Sequence, residues 1–211
     1  DGRLSNKMIE SLPFSPTGAQ RRSVNEIYAD MSEPAPMLRL LQGDVGSGKT
    51  LVAALAMARA AEARLQSAMM APTDLLARQH GATLQPLLEA AGIKMAVLTG
   101  RDKAKDRKLI LERMASGDIH VVVGTHALFQ DEVAFKDLGL IVIDEQHRFG
   151  VSDRMRMVAK GFAPHVLVMS ATPIPRTLAL SIHGDMDLSV LDEKPPGRQP
   201  IKTILARDME R

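Results

Sequence analysis

The chain has 211 residues, 45% of them hydrophobic, which is enough to bury the core of one large domain. Its 27 basic and 25 acidic residues nearly cancel to a net charge of +2, so any nucleic-acid surface must come from local clustering and not from overall charge. The absence of cysteine excludes disulfides and thiolate-bound metals. No apolar run approaches the roughly 18 residues of a membrane span, and 3% aromatics without tryptophan argue against a stacking platform for single-stranded bases.

The first seven residues, Asp1 to Lys7, hold no initiator methionine and no apolar signal-peptide core, which leads us to expect an excised piece of a longer protein. A helix is predicted over 17–31 and a strand over 37–42. Immediately after that strand comes Gly43-Asp44-Val45-Gly46-Ser47-Gly48-Lys49-Thr50. This string fits the phosphate-binding loop G-x-x-x-x-G-K-S/T at every constrained position. Glycines at 43, 46 and 48 let backbone N–H groups turn inward around phosphates, where a Cβ would obstruct the turn or the ligand. Ser47 lies within the same cradle. A helix predicted over 48–64 puts its positive end at the same place. Its residues Leu51 to Ala58 are apolar nearly all round, so that helix is expected to be buried. Lys49 is expected to neutralise the β- and γ-phosphates of ATP, and the Thr50 hydroxyl to ligate Mg²⁺.

Further strands are predicted over 66–71, 94–98, 120–124, 140–143 and 166–170. Helices over 74–91, 103–116 and 175–183 are expected among them. The strands are continuously apolar, as when both faces of a parallel sheet are covered, and the alternation of strand and helix indicates an α/β fold. The helix over 103–116 follows a cluster of cations, Arg101, Lys103, Lys105, Arg107 and Lys108, which reads as a solvated face or a DNA-facing patch.

The run Leu140-Ile141-Val142-Ile143 ends abruptly in Asp144-Glu145-Gln146-His147. A buried parallel strand would deliver these acids to the phosphates held by the loop. Asp144 is expected to hold Mg²⁺, directly or through water, and Glu145 to act as general base on the attacking water. With no second histidine at metal-ligand spacing, a histidine metal site is rejected. Ser170-Ala171-Thr172-Pro173 follows the last apolar strand and should emerge at the same edge as Asp144. The hydroxyls of Ser170 and Thr172 could there link phosphate state to Gln146 and His147.

Near the end, Lys194-Pro195-Pro196-Gly197-Arg198-Gln199-Pro200 can continue neither a helix nor a central strand, and reads as an interdomain linker. The division expected is residues 1–193 as one nucleotide-binding lobe and 194–211 as the linker with the truncated start of a second domain.

The Asp-Glu-Gln-His box, Gly43–Thr50, Ala71-Pro72-Thr73, Gly124-Thr125-His126 and Ser170-Ala171-Thr172 together resemble the first motor lobe of superfamily 2 DExH-box helicases. The longer strings around the phosphate loop, Asp144–Val151 and Ala171–Leu178 resemble most the RecG family of bacterial branched-DNA translocases. The family resemblance implies a RecA-like P-loop domain, a doubly wound, mostly parallel sheet with helices on both faces. It implies that Gln20 reads the adenine edge, and that Pro72, Thr73, Thr99, Gly100, Gly124, Thr125 and His126 border a DNA track. Small hydroxyl-bearing loops suit phosphate oxygens and carry little base information. Arg176 would contact DNA or couple the two lobes. The partners implied are ATP, branched or duplex DNA, a second motor lobe with its γ-phosphate arginine, and a preceding wedge domain, in the bacterial cytoplasm at the nucleoid. A lobe without that arginine should bind nucleotide but turn it over poorly. Two alternatives are the equivalent lobe of the transcription–repair coupling translocase, which typically carries Glu at the position of Gln146, and a nucleotide-dependent DNA-binding switch that never translocates.

Overall fold

The computed structural model describes residues 1–144, 163–171 and 186–193. In chain order they form α1 (Arg3–Glu10), α2 (Gly18–Met31), β1 (Leu38–Gly43), α3 (Lys49–Glu62), β2 (Gln66–Met70), α4 (Asp74–Ala90), β3 (Met95–Leu98), α5 (Ala104–Ser116) and β4 (Val121–Gly124). A 3-10 turn (His126–Phe129), β5 (Leu138–Asp144), β6 (His165–Ser170) and β7 (Asp187–Leu191) follow. The strands make one sheet in the order β3-β4-β2-β5-β6-β1-β7, parallel at every pairing.

Period-two alternation along the strands splits the core between the two faces. Leu140 and Val142 of β5 join Met69 of β2 on one face, under α1, α2, α3 and α4. Ile141 and Ile143 join Ala68 and Met70 on the other, against Met114 of α5 and Leu128 and Phe129 of the 3-10 turn. Helix α3 is buried from Leu51 to Ala58, as its composition predicts, and its alanines let it lie close among α1, α2 and α4. This is the RecA-like α/β arrangement expected, with helices on both faces of a parallel sheet.

The expected strands and the helices α2 to α5 appear with small shifts at their ends. Helix α4 runs on through Pro86. Besides the 3-10 turn, helix α1 and strand β7 were not expected. Helix α1 has no side-chain cap of its own. Instead the Glu62 carboxylate, at the end of α3, accepts the N–H groups of Gly2, Leu4 and Ser5 at 3.2, 2.9 and 3.2 Å. An anion at a helix N-terminus is stabilising, but here it arrives from a distant part of the chain. Strand β7 closes the β1 edge and is tied there by Arg39. That guanidinium donates to Ser189 Oγ at 3.0 Å and the Leu188 carbonyl at 3.2 Å, and also to Asp30 and Glu26 of α2 at 2.8 and 3.2 Å. A charge this withdrawn from water is tolerable because it is paired on several sides. The helix expected over 175–183 and the proline-rich stretch 194–200 lie outside the described residues.

Candidate functional site

The parallel register brings three strand ends level at the carboxyl edge. Gln42 of β1 stands opposite Ser170 of β6, and Asp144 of β5 opposite Met169 of β6. Strand β6 therefore lies between the phosphate-binding loop and Asp144. This is where a ligand is expected to sit in an open α/β sheet.

The loop leaves β1 at Gly43 and enters α3 at Lys49. Two of its residues have left-handed backbone, Gly46 at φ 78° and Gly48 at φ 88°. Gly43 also admits no side chain, since a Cβ there would lie 2.3 Å from Ser47 Oγ. Ser47 is buried, its N–H donates to the Asp44 carbonyl at 2.9 Å, and its Oγ has no hydrogen-bond partner among the described residues. The Lys49 ammonium folds back onto the loop, donating to the carbonyls of Gly43 and Asp44, the latter at 3.1 Å. Burial pulls the Lys49 pKa below its ordinary value, opposed by the charges of Asp144 and then Asp44.

A cavity of about 930 Å³ opens over the loop. Gly46, Gly48, Lys49 and Thr50 of the loop, Asp144 and Ala171 at the ends of β5 and β6, and His80, Thr83 and Pro86 of α4 are among the residues that line it. Phe14, 44% exposed, stands among its lining residues ahead of α2. The donor set fits a nucleoside triphosphate with a hard cation. Left-handed glycines, a lysine and a helix N-terminus suit phosphates. One hydroxyl and one carboxylate suit Mg²⁺, which keeps most of its ligands as water and phosphate oxygen. Among the described residues no cluster of three or more His, Cys, Asp or Glu forms an all-protein metal cage.

Gln20 is buried against the loop, with its side-chain amide turned toward the protein. Its Oε1 accepts the Thr17 N–H at 2.8 Å and its Nε2 donates to the Gly48 carbonyl at 3.4 Å. Each atom keeps one further hydrogen-bonding position, a second lone pair on Oε1 and a second hydrogen on Nε2. Ser170 is buried at the end of β6. Glu145, Gln146, His147, Thr172 and Arg176 lie outside the described residues.

The residues expected along a nucleic-acid track gather at the other half of the same edge, after β2, β3 and β4. Thr73 caps α4, accepting the Leu76 N–H at 3.2 Å, and is exposed beside half-buried Pro72. Thr99 is fully buried; its hydroxyl takes a hydrogen from Arg78 Nη2 at 3.0 Å and its N–H donates to Asp102 at 2.7 Å. Gly124 is pressed against the Leu98 carbonyl, which a Cβ would approach to 2.6 Å. Thr125 is buried and caps the 3-10 turn. Thr99, Gly124 and Thr125 thus shape the loops from beneath, while Thr73, Gly100 and His126 face outward. Of the cation cluster, Arg107 pairs with Glu132, and Arg101, Lys103, Lys105 and Lys108 are exposed.

Sequence reading missed His80. Its Nε2 lies 2.8 Å from Asp144 Oδ2, although the two residues are far apart in the chain. No local pattern marks a lone histidine in the middle of a helix.

The sequence model of DEAD/DEAH box helicases matches residues 17–180. The chain belongs to the DEAD/DEAH box helicase family. It is 53% identical over 212 aligned residues to the ATP-dependent DNA helicase RecG of Escherichia coli O157:H7, an alignment covering 99% of this chain and 31% of that protein. It is 52% identical over 207 residues to RecG of Aquifex aeolicus, covering 97% of this chain and 26% of that one. The chain thus spans about a third or less of the length of these curated relatives. Among solved structures it is similar to RecG bound to a three-way DNA junction, with a TM-score of 0.81 and 46% identity over 95% of this chain and 27% of that one. The helicase MrfA bound to DNA shares the fold, with a TM-score of 0.67 at 19% identity, covering 92% of this chain and 30% of that one. No helix among the described residues is long and apolar enough to cross a membrane.

Proposed function

We propose that residues 1–193 are the first motor lobe of a RecG-type DNA helicase, and that 194–211 form a linker with the start of a second motor domain. The observation that carries this reading is the single cavity shared by Lys49, Thr50 and Asp144 at the level ends of β1 and β5. The similarity to RecG over nearly the whole chain supports it and disfavours the coupling-translocase alternative.

In this reading the loop amides and Lys49 hold the β- and γ-phosphates of ATP, while Gln20 selects adenine. Thr50 and Asp144 hold Mg²⁺, which supplies positive charge to the phosphoryl oxygens. Glu145 takes the proton of the attacking water. Gln146, His147, Ser170, Thr172 and Arg176 pass the state of the γ-phosphate to the DNA track and to the second lobe. Pro72, Thr73, Gly100 and His126 face that track along the phosphate backbone of branched or duplex DNA, on loops that Thr99, Gly124 and Thr125 shape from beneath. In the intact protein, with its wedge domain, closure and opening of the lobe cleft drives remodelling of forks and recombination junctions in the bacterial cytoplasm, at the nucleoid.

Steady-state ATP hydrolysis by this chain, with and without forked duplex DNA, tests the reading. Turnover near background and indifferent to DNA is expected, because the arginine completing the site belongs to the second lobe, and arginine fingers contribute about 10³–10⁵ in rate. Robust DNA-stimulated turnover would overturn the half-motor assignment.

A further inference from the structure

Helix α4 touches both halves of the carboxyl edge. It starts at the Thr73 cap beside β2, and two neighbouring residues on its next turns reach in different directions. Arg78 Nη2 donates to Thr99 Oγ1 at 3.0 Å and lies 3.9 Å from the Asp102 carboxylate. His80 Nε2 lies 2.8 Å from Asp144 Oδ2, with side chains only 19% and 16% exposed. Next to His80, Gly81 lets the helix press onto β3, since a Cβ there would fall 2.4 Å from Val97 Cγ2. His80 therefore projects from a helix pinned on both sides of it.

We propose that His80 is a positioning residue for the magnesium-binding carboxylate. This rests on the assignment of Asp144 to Mg²⁺ made above. An ionised carboxylate can only accept, so the hydrogen lies on His80 Nε2 and is donated to Oδ2. That bond fixes the rotation of the Asp144 carboxylate about its Cβ–Cγ bond before a cation arrives. A ligand oriented in advance loses less freedom on binding the ion. Removing such an outer partner weakens metal affinity by about 10–100-fold in other sites. His80 does not touch the cation or the phosphates in this account and acts only through Asp144.

The test is a calorimetric titration of this chain with ADP over a series of Mg²⁺ concentrations and in excess EDTA, for the parent and three variants. His80→Leu fills the space without a donor, His80→Gln keeps an N–H donor, and Lys49→Ala controls for the phosphate loop. His80→Leu should raise the Mg²⁺ concentration needed for half-maximal tightening by about 10–100-fold, leave the EDTA affinity unchanged, and melt near the parent temperature. His80→Gln should restore most of the parent Mg²⁺ response. An unchanged Mg²⁺ midpoint in the Leu variant overturns the role of His80, as does an equal loss of affinity in EDTA or a failure of Gln to restore. If Lys49→Ala binds nucleotide like the parent, the phosphate-loop reading itself fails; if it loses binding while the His80 variants behave as parent, only the His80 assignment fails.

Discussion

The side-chain amide of Gln20 donates to the carbonyl of Gly48 at 3.4 Å and so joins the first turn of α2 to the last residue of the phosphate loop. The same side chain closes a capping box: Gln20 Oε1 accepts the Thr17 N–H at 2.8 Å, and Thr17 Oγ1 accepts the Gln20 N–H at 3.1 Å. One residue thus starts a helix and buttresses the loop. Gln20→Ala should cost about 1 kcal/mol of stability, the usual scale for a lost cap, and weaken nucleotide binding as well. Gln20→Glu keeps an acceptor for Thr17 but sets a buried carboxylate oxygen against the Gly48 carbonyl, so it should lose more stability than the alanine variant as well as binding nucleotide worse. Urea unfolding and calorimetry on both variants separate the two effects. Equal losses of stability in both would contradict this division of labour.

Gly48 leaves no room for a side chain. A Cβ there would fall 1.9 Å from Gln20 Nε2, on a backbone at φ 88°. Gly48→Ala should therefore destabilise the fold by about 1–2 kcal/mol from the left-handed backbone alone, and displace Gln20. Loss of nucleotide binding at a temperature where the variant is still folded by circular dichroism is the expected result.

Much of the fold could be read from the chain because its strands announce themselves. The apolar runs ending at Gln42, Ile143 and Ser170 each became a strand, and the loop and Asp144 met at one edge. Non-local causes were not legible. Helix α1 depends on the Glu62 carboxylate arriving from α3, and β7 on Arg39 reaching out of β1; neither short segment signals its partner locally. The same holds for the site. Lys49, Thr50 and Asp144 follow from motif chemistry, whereas His80 becomes visible only when α4 is laid over β5. Thr99 and Thr125 could be placed at the right edge, but their hydroxyls turned out to be committed inside the protein, a matter of loop geometry that spacing does not encode.

Glu62 offers a direct check on long-range capping. Its side chain is only 9% exposed and accepts charge-assisted bonds from the first turn of α1. Glu62→Ala should cost about 1.5–3 kcal/mol, the range for hydrogen bonds to a charged group. Amide exchange should rise first over residues 2–8, ahead of the sheet. Uniform acceleration throughout the domain would instead mean that α1 is not held separately.

Acid stability should depend on two histidines at the opposite, amino edge of the sheet. His120 Nδ1 accepts the Lys94 N–H at 2.9 Å, and His165 Nδ1 accepts the Met37 N–H at 2.8 Å. Burial lowers both pKa values, for His120 with help from the Lys94 charge, against weaker opposition from Asp118 and Asp30 respectively. A lowered folded-state pKa means that the unfolded chain binds more protons just below the ordinary value of 6.5. Their contribution is thus fully present above about pH 6.5 and is lost as pH falls through the folded values. The urea midpoint should drop between pH 7.5 and pH 5, and the slope should shrink in His120→Gln and His165→Gln. A slope unchanged in both variants would assign the acid sensitivity elsewhere.

Calorimetric titration of this chain with ATP and Mg²⁺, beside Lys49→Ala, asks whether the glycine-rich loop, Thr50 and Asp144 form one nucleotide site. Saturable one-site binding by the parent is expected, and a variant that melts normally yet shows no tight binding. Indistinguishable isotherms from the two would contradict it, since the charge that neutralises the phosphates would then lie somewhere other than Lys49.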